Sequence, residues 1–321
     1  MTMFNSERFT SILNKVLQGI VFAYQAAAVV AFAVTLFFAN QWLKLPFMGA
    51  IFEQTMTYNG AKPTGSADGW DMYNQGIQLG EQLVTVAGQD IRTSQDLQAV
   101  LRGFSPGENV TVVTRTNEKE TKTYTVTLHA FPASDRNAYL VFPAIICVFF
   151  LSTSVWIFGL RRTESAGRAF SIFATSLAII TGTLFDLYST HIFPYLWTLG
   201  LSLLGGALVD LALAFPQEFK PVISRPYLRW IGYVIGLVLA LNSFLVLHDF
   251  ENPTAYYRTW LFLYFFSAVC GLFFLSVMIY HSTSARSPVV KSQARFIIGG
   301  TVLGLGAPIL WLLLNPIVAL I

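Results

Sequence analysis

Charge is what this chain has least of: 12 % of its 321 residues are Asp, Glu, Lys or Arg, against 54 % apolar residues and 28 Phe. That balance excludes both a disordered polar chain and an ordinary soluble globule. The formal net charge is only +3, and many of the basic residues fall in short loops between apolar runs, so no basic face for nucleic acid is expected. Cysteine is nearly absent too. Cys147 and Cys270 both lie inside apolar runs, with no metal spacing and no obvious disulfide, and read as small packing residues. His129, His191, His248 and His281 are scattered over loops and span ends with no second ligand at helical spacing. There is no H-E-x-x-H and no G-x-x-x-x-G-K-[ST]. No lysine sits within an apolar run to form a Schiff base, and Gly200-Leu201-Ser202-Leu203 is a poor imitation of an intramembrane serine nucleophile. Neither a metal nor a cofactor is expected, and the chain reads as non-enzymatic.

What the chain has instead is long apolar runs. Gly19–Asn40, Tyr139–Leu160, Ala169–Tyr188, Tyr195–Pro216, Trp230–Leu247, Thr259–Tyr280 and Phe296–Leu314 each approach the roughly 20 residues that cross a bilayer. The first lacks a small-residue cleavage site and reads as a retained span. The fold class expected is a multi-span α-helical membrane protein with seven transmembrane helices and one small α+β domain between the first two. Residues 1–54 form the tail, first span and linker, 55–132 the aqueous domain, and 133–321 a six-helix bundle. Arg8, Lys15, Arg161, Arg162, Arg168, Lys220, Arg225, Arg229, Arg286, Lys291 and Arg295 fall at one set of span ends; Lys44, Arg136 and Arg258 fall at the other. The basic side is expected to be cytoplasmic, in a cell inner or cytoplasmic membrane, with the aqueous domain outside. Glycines 299, 300, 304 and 306 read as close helix packing in the last span.

Gly76–Leu128 is the longest stretch that patterns as water-soluble. Leu83, Val84 and Val86 make a short strand ending at the turn Ala87–Asp90. Thr93 or Ser94 can cap a helix with Asp96 in its first turn; Leu97, Val100 and Leu101 then form one apolar stripe, and Gly103 stops it. Pro106-Gly107 turns the chain into Asn109–Thr116, the corner Asn117–Glu120 follows, and Lys122–Leu128 completes a hairpin.

This order of elements, carried by Gly76, Gly80, Glu81, Leu83, Val86, Gly88 and Ile91, then Asp96, Leu97 and Leu101, then Pro106, Gly107, Glu108 and Val110, resembles the PDZ domains of bacteria. The resemblance covers about a sixth of the chain; Glu81 stands where the family usually has aspartate, and Thr57–Asn74 lacks a clear match to the family's carboxylate loop. It implies binding of a peptide or protein carboxyl terminus by strand addition. The loop Gly76, Ile77, Gln78, Leu79 and Gly80 and the helix residues Leu97, Val100 and Leu101 are the groove candidates. A second resemblance rests on Leu213-Ala214-Phe215-Pro216-Gln217-Glu218 and on Gln293-Ala294-Arg295-Phe296. These look like the membrane modules of sensor histidine kinases of the competence-pheromone receptor type, which also place a PDZ-like domain after a first span. It implies a further span and cytoplasmic domains beyond Ile321, so output is expected through a separate or missing effector such as a histidine kinase.

Polar residues inside the spans are the other candidates. Asp210 lies one to two turns before Pro216, where an ionised carboxylate costs up to about 3 kcal/mol unless it finds a partner or water. It could face a ligand or proton path, or reach the interface and bond a neighbour. Asp186 is expected at the outer interface, and Gln25 and Asn242 as hydrogen-bonding glue between helices. The function expected is a signal-sensing receptor module in contact with membrane lipid. The rivals are a membrane-anchored scaffold and a transporter-like bundle with Asp210 and Asn242 in its pathway; no inverted repeat or pair of broken helices supports the last.

Overall fold

The computed structural model describes residues 2–116, 118 and 120–318. Among them, seven helical segments are long and apolar enough to span a membrane: Ile12–Trp42, Ala133–Arg161, Ser165–Ser189, Pro194–Ala214, Pro226–Val246, Ala255–Ser284 and Pro288–Leu314. In chain order span 1 is α1 (Thr2–Trp42), and the sheet unit follows with α2 (Asp71–Asn74), β1 (Gln82–Val86), β2 (Gln89–Asp90), α3 (Ser94–Leu101), β3 (Asn109–Arg115) and β4 (Thr121–Thr127). Span 2 starts as α4 (Ala133–Arg136), runs through a π turn at Asn137–Val141, and continues as α5 (Phe142–Arg161). Span 3 is broken into α6 (Ser165–Gly182) and α7 (Leu184–Ser189), and span 4 is α8 (Pro194–Ala214). After the short α9 (Lys220–Ser224), a 3₁₀ turn at Pro226–Trp230 leads into α10 (Ile231–Val246), then α11 (Ala255–Ser284) and α12 (Pro288–Val318).

Spans 3 and 4 form the middle of the bundle, because 61 % and 67 % of their most apolar stretches are buried, while span 7 is only 6 % buried. Where helices touch closely, glycine allows it. A Cβ on Gly206 would stand 2.6 Å from the Tyr233 ring, and one on Gly236 would stand 2.6 Å from the Ser202 carbonyl, so spans 4 and 5 cross at backbone distance. The last span departs from expectation. Cβ atoms on Gly299, Gly300 and Gly304 would meet nothing within 4 Å, so this glycine face is unpartnered and not a packing seam. Gln25 does act as glue: its Nε2 donates to Ser154 Oγ at 2.8 Å, joining spans 1 and 2.

The sheet order is β2-β1-β3-β4, all antiparallel. Strand, capped helix and hairpin all form where the pattern places them. Thr93 is the N-cap of α3, and Thr93 and Asp96 bond each other's backbone in a capping box. Of the expected corner Asn117–Glu120, Asn117 and Lys119 lie outside the described residues. Alternation sets the core: Val110, Val112, Tyr124 and Val126 point inward from β3 and β4 and meet Val100 and Leu101 of α3.

The unit reaches further toward the amino terminus than residue 55. Met48, Ala50 and Phe52 enter the same core, while Phe47 and Ile51 join Trp70, Phe131 and Phe185 in a second cluster. Residues 47–52 are thus buried on both faces, which leaves no polar position to mark the alternation in sequence. Gly49 is required here, since it adopts φ +83° and a Cβ would lie 2.0 Å from the Asp71 amide nitrogen.

Candidate functional site

The sheet unit sits on the bundle through two kinds of contact. The first is aromatic. Trp42 at the end of span 1 makes edge contacts with Phe131 at 5.3 Å and with Phe185 of α7 at 5.4 Å, and Phe47 packs on Trp70 and Phe131. Such pairs add about 0.5–1.5 kcal/mol each beyond the area they bury. Next to this cluster Asp135, fully buried at the head of span 2, accepts from Trp70 Nε1 at 2.8 Å, Thr64 N at 2.7 Å and Thr64 Oγ1 at 2.6 Å. Tyr139, in the π turn, donates to Lys62 O at 2.7 Å. Both covalent tethers of the unit therefore end in fixed contacts.

The second kind is polar and joins the unit to two loops of the bundle. The turn at Glu53–Thr57, closed by Glu53 N to Thr57 O at 2.9 Å, meets the connection between spans 5 and 6. Thr55 Oγ1 donates to Pro253 O at 2.8 Å, and the Tyr256 hydroxyl donates to Glu53. The connection between spans 3 and 4 reaches both Phe52 and α3. His191 Nε2 lies 3.0 Å from Phe52 O and carries the proton there, because a carbonyl can only accept. On the α3 side, Ser94 Oγ donates to Thr190 O at 2.9 Å and Gln98 Nε2 to Ser189 O at 3.3 Å. One loop of the bundle, residues 189–191, thus bonds the 47–53 segment and α3 together.

Asp186 explains why that loop holds its shape. It lies at the end of span 3 that meets the sheet unit, and it is fully buried there. It accepts the amides of Ile192 at 3.0 Å and Phe193 at 2.8 Å and the Thr190 hydroxyl. These bonds satisfy backbone donors at the start of α8 and fix His191 at φ +55°.

Burial sets the protonation of two groups at the junction. It pushes the Glu53 carboxyl up to about 7, and hydrogen bonds from Tyr256 and Asn59 hold back only part of that rise. Burial also pushes the His191 imidazole down to about 4, so it is neutral near pH 7. Elsewhere in the unit Glu81, 2 % exposed, shows the opposite balance. Burial raises its carboxyl, but bonds from Lys122, Thr114, the Gln78 amide and Tyr124 together outweigh it and leave it below its ordinary value.

The expected groove residues separate. In the loop from α2 to β1, Gly76 and Gly80 take left-handed backbone. The amides of Gly76, Ile77, Gln78 and Gly80 are already bonded to Tyr73 O, Met72 O, Glu81 Oε1 and Tyr58 O, so the loop offers no row of free donors to a carboxylate. Ile77, Val100 and Leu101 are core residues, Leu97 is half-buried, and Leu79 is exposed. The free edge of β4 is also partly closed, since Asp71 accepts Thr127 N at 2.7 Å and Gln75 donates to Thr125 O at 2.8 Å.

The candidates inside the spans separate as well. Asp210 Oδ1 lies 3.6 Å from Arg229 Nε, with the Tyr233 hydroxyl 3.5 Å from Oδ2, so it reaches a basic partner at the end of the span. Asn242 is exposed on α10 and lines no interior path with Asp210. Sequence reasoning passed over Glu53, Asp135 and Tyr256 and set His191 aside as one of four scattered histidines. Each is a single polar residue whose partner lies 65 to 203 positions away. The chain matches no protein-family model, and no curated protein matches it in sequence.

Proposed function

We propose that this chain is a membrane sensor module whose PDZ-like unit lies outside the membrane, with the arginine-rich span ends in the cytoplasm. A peptide or protein carboxyl terminus is sensed at the unit, and the bundle carries the change to a cytoplasmic effector such as a histidine kinase. The observation that carries this reading is the loop at residues 189–191, bonded on one side to Phe52 and on the other to Ser94 and Gln98. A ligand entering between the 47–53 segment and α3 has to displace it. The loop joins spans 3 and 4, the most buried helices of the bundle, so its release is felt where packing is tightest. Strand addition at β4 is the less favoured route, because Asp71 and Gln75 already hold part of that edge.

The test is binding of fluorescent peptides with free apolar carboxyl termini to the full chain in lipid nanodiscs. His191→Ala removes one competing bond and is expected to tighten binding about tenfold, equivalent to about 1.4 kcal/mol. Equal binding by both proteins, or binding by neither, contradicts the proposed displacement.

A further inference from the structure

A helix is free to turn about its axis unless its faces are fixed, and span 2 is fixed at two levels. Within the bundle the buried residues of α5 are Pro143, Cys147 and Ser154, which at i, i+4 and i+11 form one stripe. The single hydroxyl proton of Ser154 goes to Ser171 O at 2.9 Å, so the oxygen accepts from Gln25 Nε2 and Thr175 Oγ1, both at 2.8 Å. Cys147 is seated against Gly182 of span 3, where a Cβ would come within 2.5 Å of the sulfur. At the head of the span, Trp70 and Thr64 grip Asp135, and Lys62 O holds Tyr139.

The two levels do not match along an unbroken α-helix. Counting back from Pro143 at about 100° per residue would leave Asp135 roughly 100° away from the centre of the buried stripe. The π turn at Asn137–Val141 closes its bonds at i→i+5 and so takes up one residue more than an α turn. With that residue absorbed, Asp135 comes round into line with Pro143, Cys147 and Ser154. None of the 5 residues of the turn is buried, so packing at the turn does not impose it. The two anchored levels do.

We infer that span 2 is a two-position register switch. While the sheet unit grips Asp135, the turn at Asn137–Val141 is π; once the grip is lost, the turn relaxes to α and the head of the span rotates by about 100° against the half held by Ser154. The two positions exclude each other, because in the α form the Asp135 carboxylate is turned away from Trp70 and Thr64. The switch depends on whether the unit grips span 2 and not on what the unit senses, so it stands or falls independently of the peptide reading.

The experiment measures distances between spin labels on the full chain in lipid nanodiscs, from Arg136→Cys to Tyr195→Cys and, separately, to Phe250→Cys; the native Cys147 and Cys270 are buried. Asp135→Ala with Tyr139→Phe removes both holds on the head. A label even about 5 Å from the helix axis moves about 8 Å through such a turn, so a second, discrete distance displaced by at least about 4 Å is expected in one pair or both. Deleting Ala138 takes out the spare residue and leaves Asp135 in line through a plain α-helix. The deletion alone is expected to keep the wild-type distances, and combined with the two substitutions it is expected to abolish the second distance. Unchanged distances in the released protein overturn the proposal, as does a displacement that survives the deletion, which would be simple fraying. A deletion that alters the wild-type distances or prevents folding also overturns it, because the residue would then not be spare.

Discussion

Asp135→Ala is expected to detach the sheet unit from the head of span 2 more effectively than any other single change at the junction. The substitution removes three hydrogen bonds to a buried carboxylate and strands the Trp70 indole N–H and the Thr64 amide. Orphaned buried donors cost about 1–3 kcal/mol each, and bonds to a charged acceptor are worth about as much, so the local loss is about 3–5 kcal/mol. Hydrogen exchange reads this directly. Opening at Thr64 is expected to rise at least about 100-fold, while amides in the β3–β4 hairpin, on the far side of the core, change little. Asp135→Asn keeps one acceptor and is expected to fall between. If Asp135→Ala leaves Thr64 protected, the carboxylate is not the clamp described here.

Raising the pH through neutrality is expected to loosen the same junction from its other side. The Glu53 carboxyl ionises only near pH 7 in the docked state, against about 4.5 in an exposed chain. Below about pH 4.5 it is protonated in both states and its own contribution to docking is at full strength. As the pH rises to about 7 the undocked form sheds its proton first, so docking weakens across that window and the contribution is gone above it. The neighbouring histidines act the other way: burial holds His191 and His248 below their ordinary value, so an undocked imidazole takes up a proton that the docked one refuses, and the His191 contribution strengthens docking as the pH rises from about 4 to about 6.5. In a His191→Gln background, which removes the opposing imidazole, spin labels at Asn109→Cys and Phe250→Cys are expected to give one narrow distance at pH 4.5 and a broad distribution at pH 8. Glu53→Gln, which keeps a group able to accept from Tyr256, is expected to stay narrow at both. A pH response that survives in Glu53→Gln assigns the switch to another group and refutes this one.

How much of this was legible in the sequence follows from which residues carry a local signal. The seven apolar helices, the Thr93–Asp96 cap and the β3–β4 hairpin each depend on neighbours within a few positions, and all are present. Residues 47–52 were hidden, because a segment buried on both faces reads as a continuation of the apolar run before it. Asn242 was placed inward for want of any other signal. A helix that is apolar all round does not reveal its face, and only packing against α8 leaves Asn242 exposed. The glycines of span 7 resemble those of spans 4 and 5 in sequence, and only the absence of a neighbour at Gly300 and Gly304 separates an open face from a seam. Glu53 and His191 had no local signal at all, since their partners are brought together only when the unit docks.

The central claim is that the bundle loop and a ligand compete for the same place on the sheet unit. Gln98→Cys with Ser189→Cys puts thiols on two residues already in contact, while the native Cys147 and Cys270 are buried. Bridging the new pair with a short bifunctional thiol reagent locks the loop in place. Peptide binding to the full chain is then measured before and after bridging. The account predicts that bridging lowers the affinity at least about tenfold and that releasing the bridge restores it; unchanged affinity in the bridged protein contradicts it.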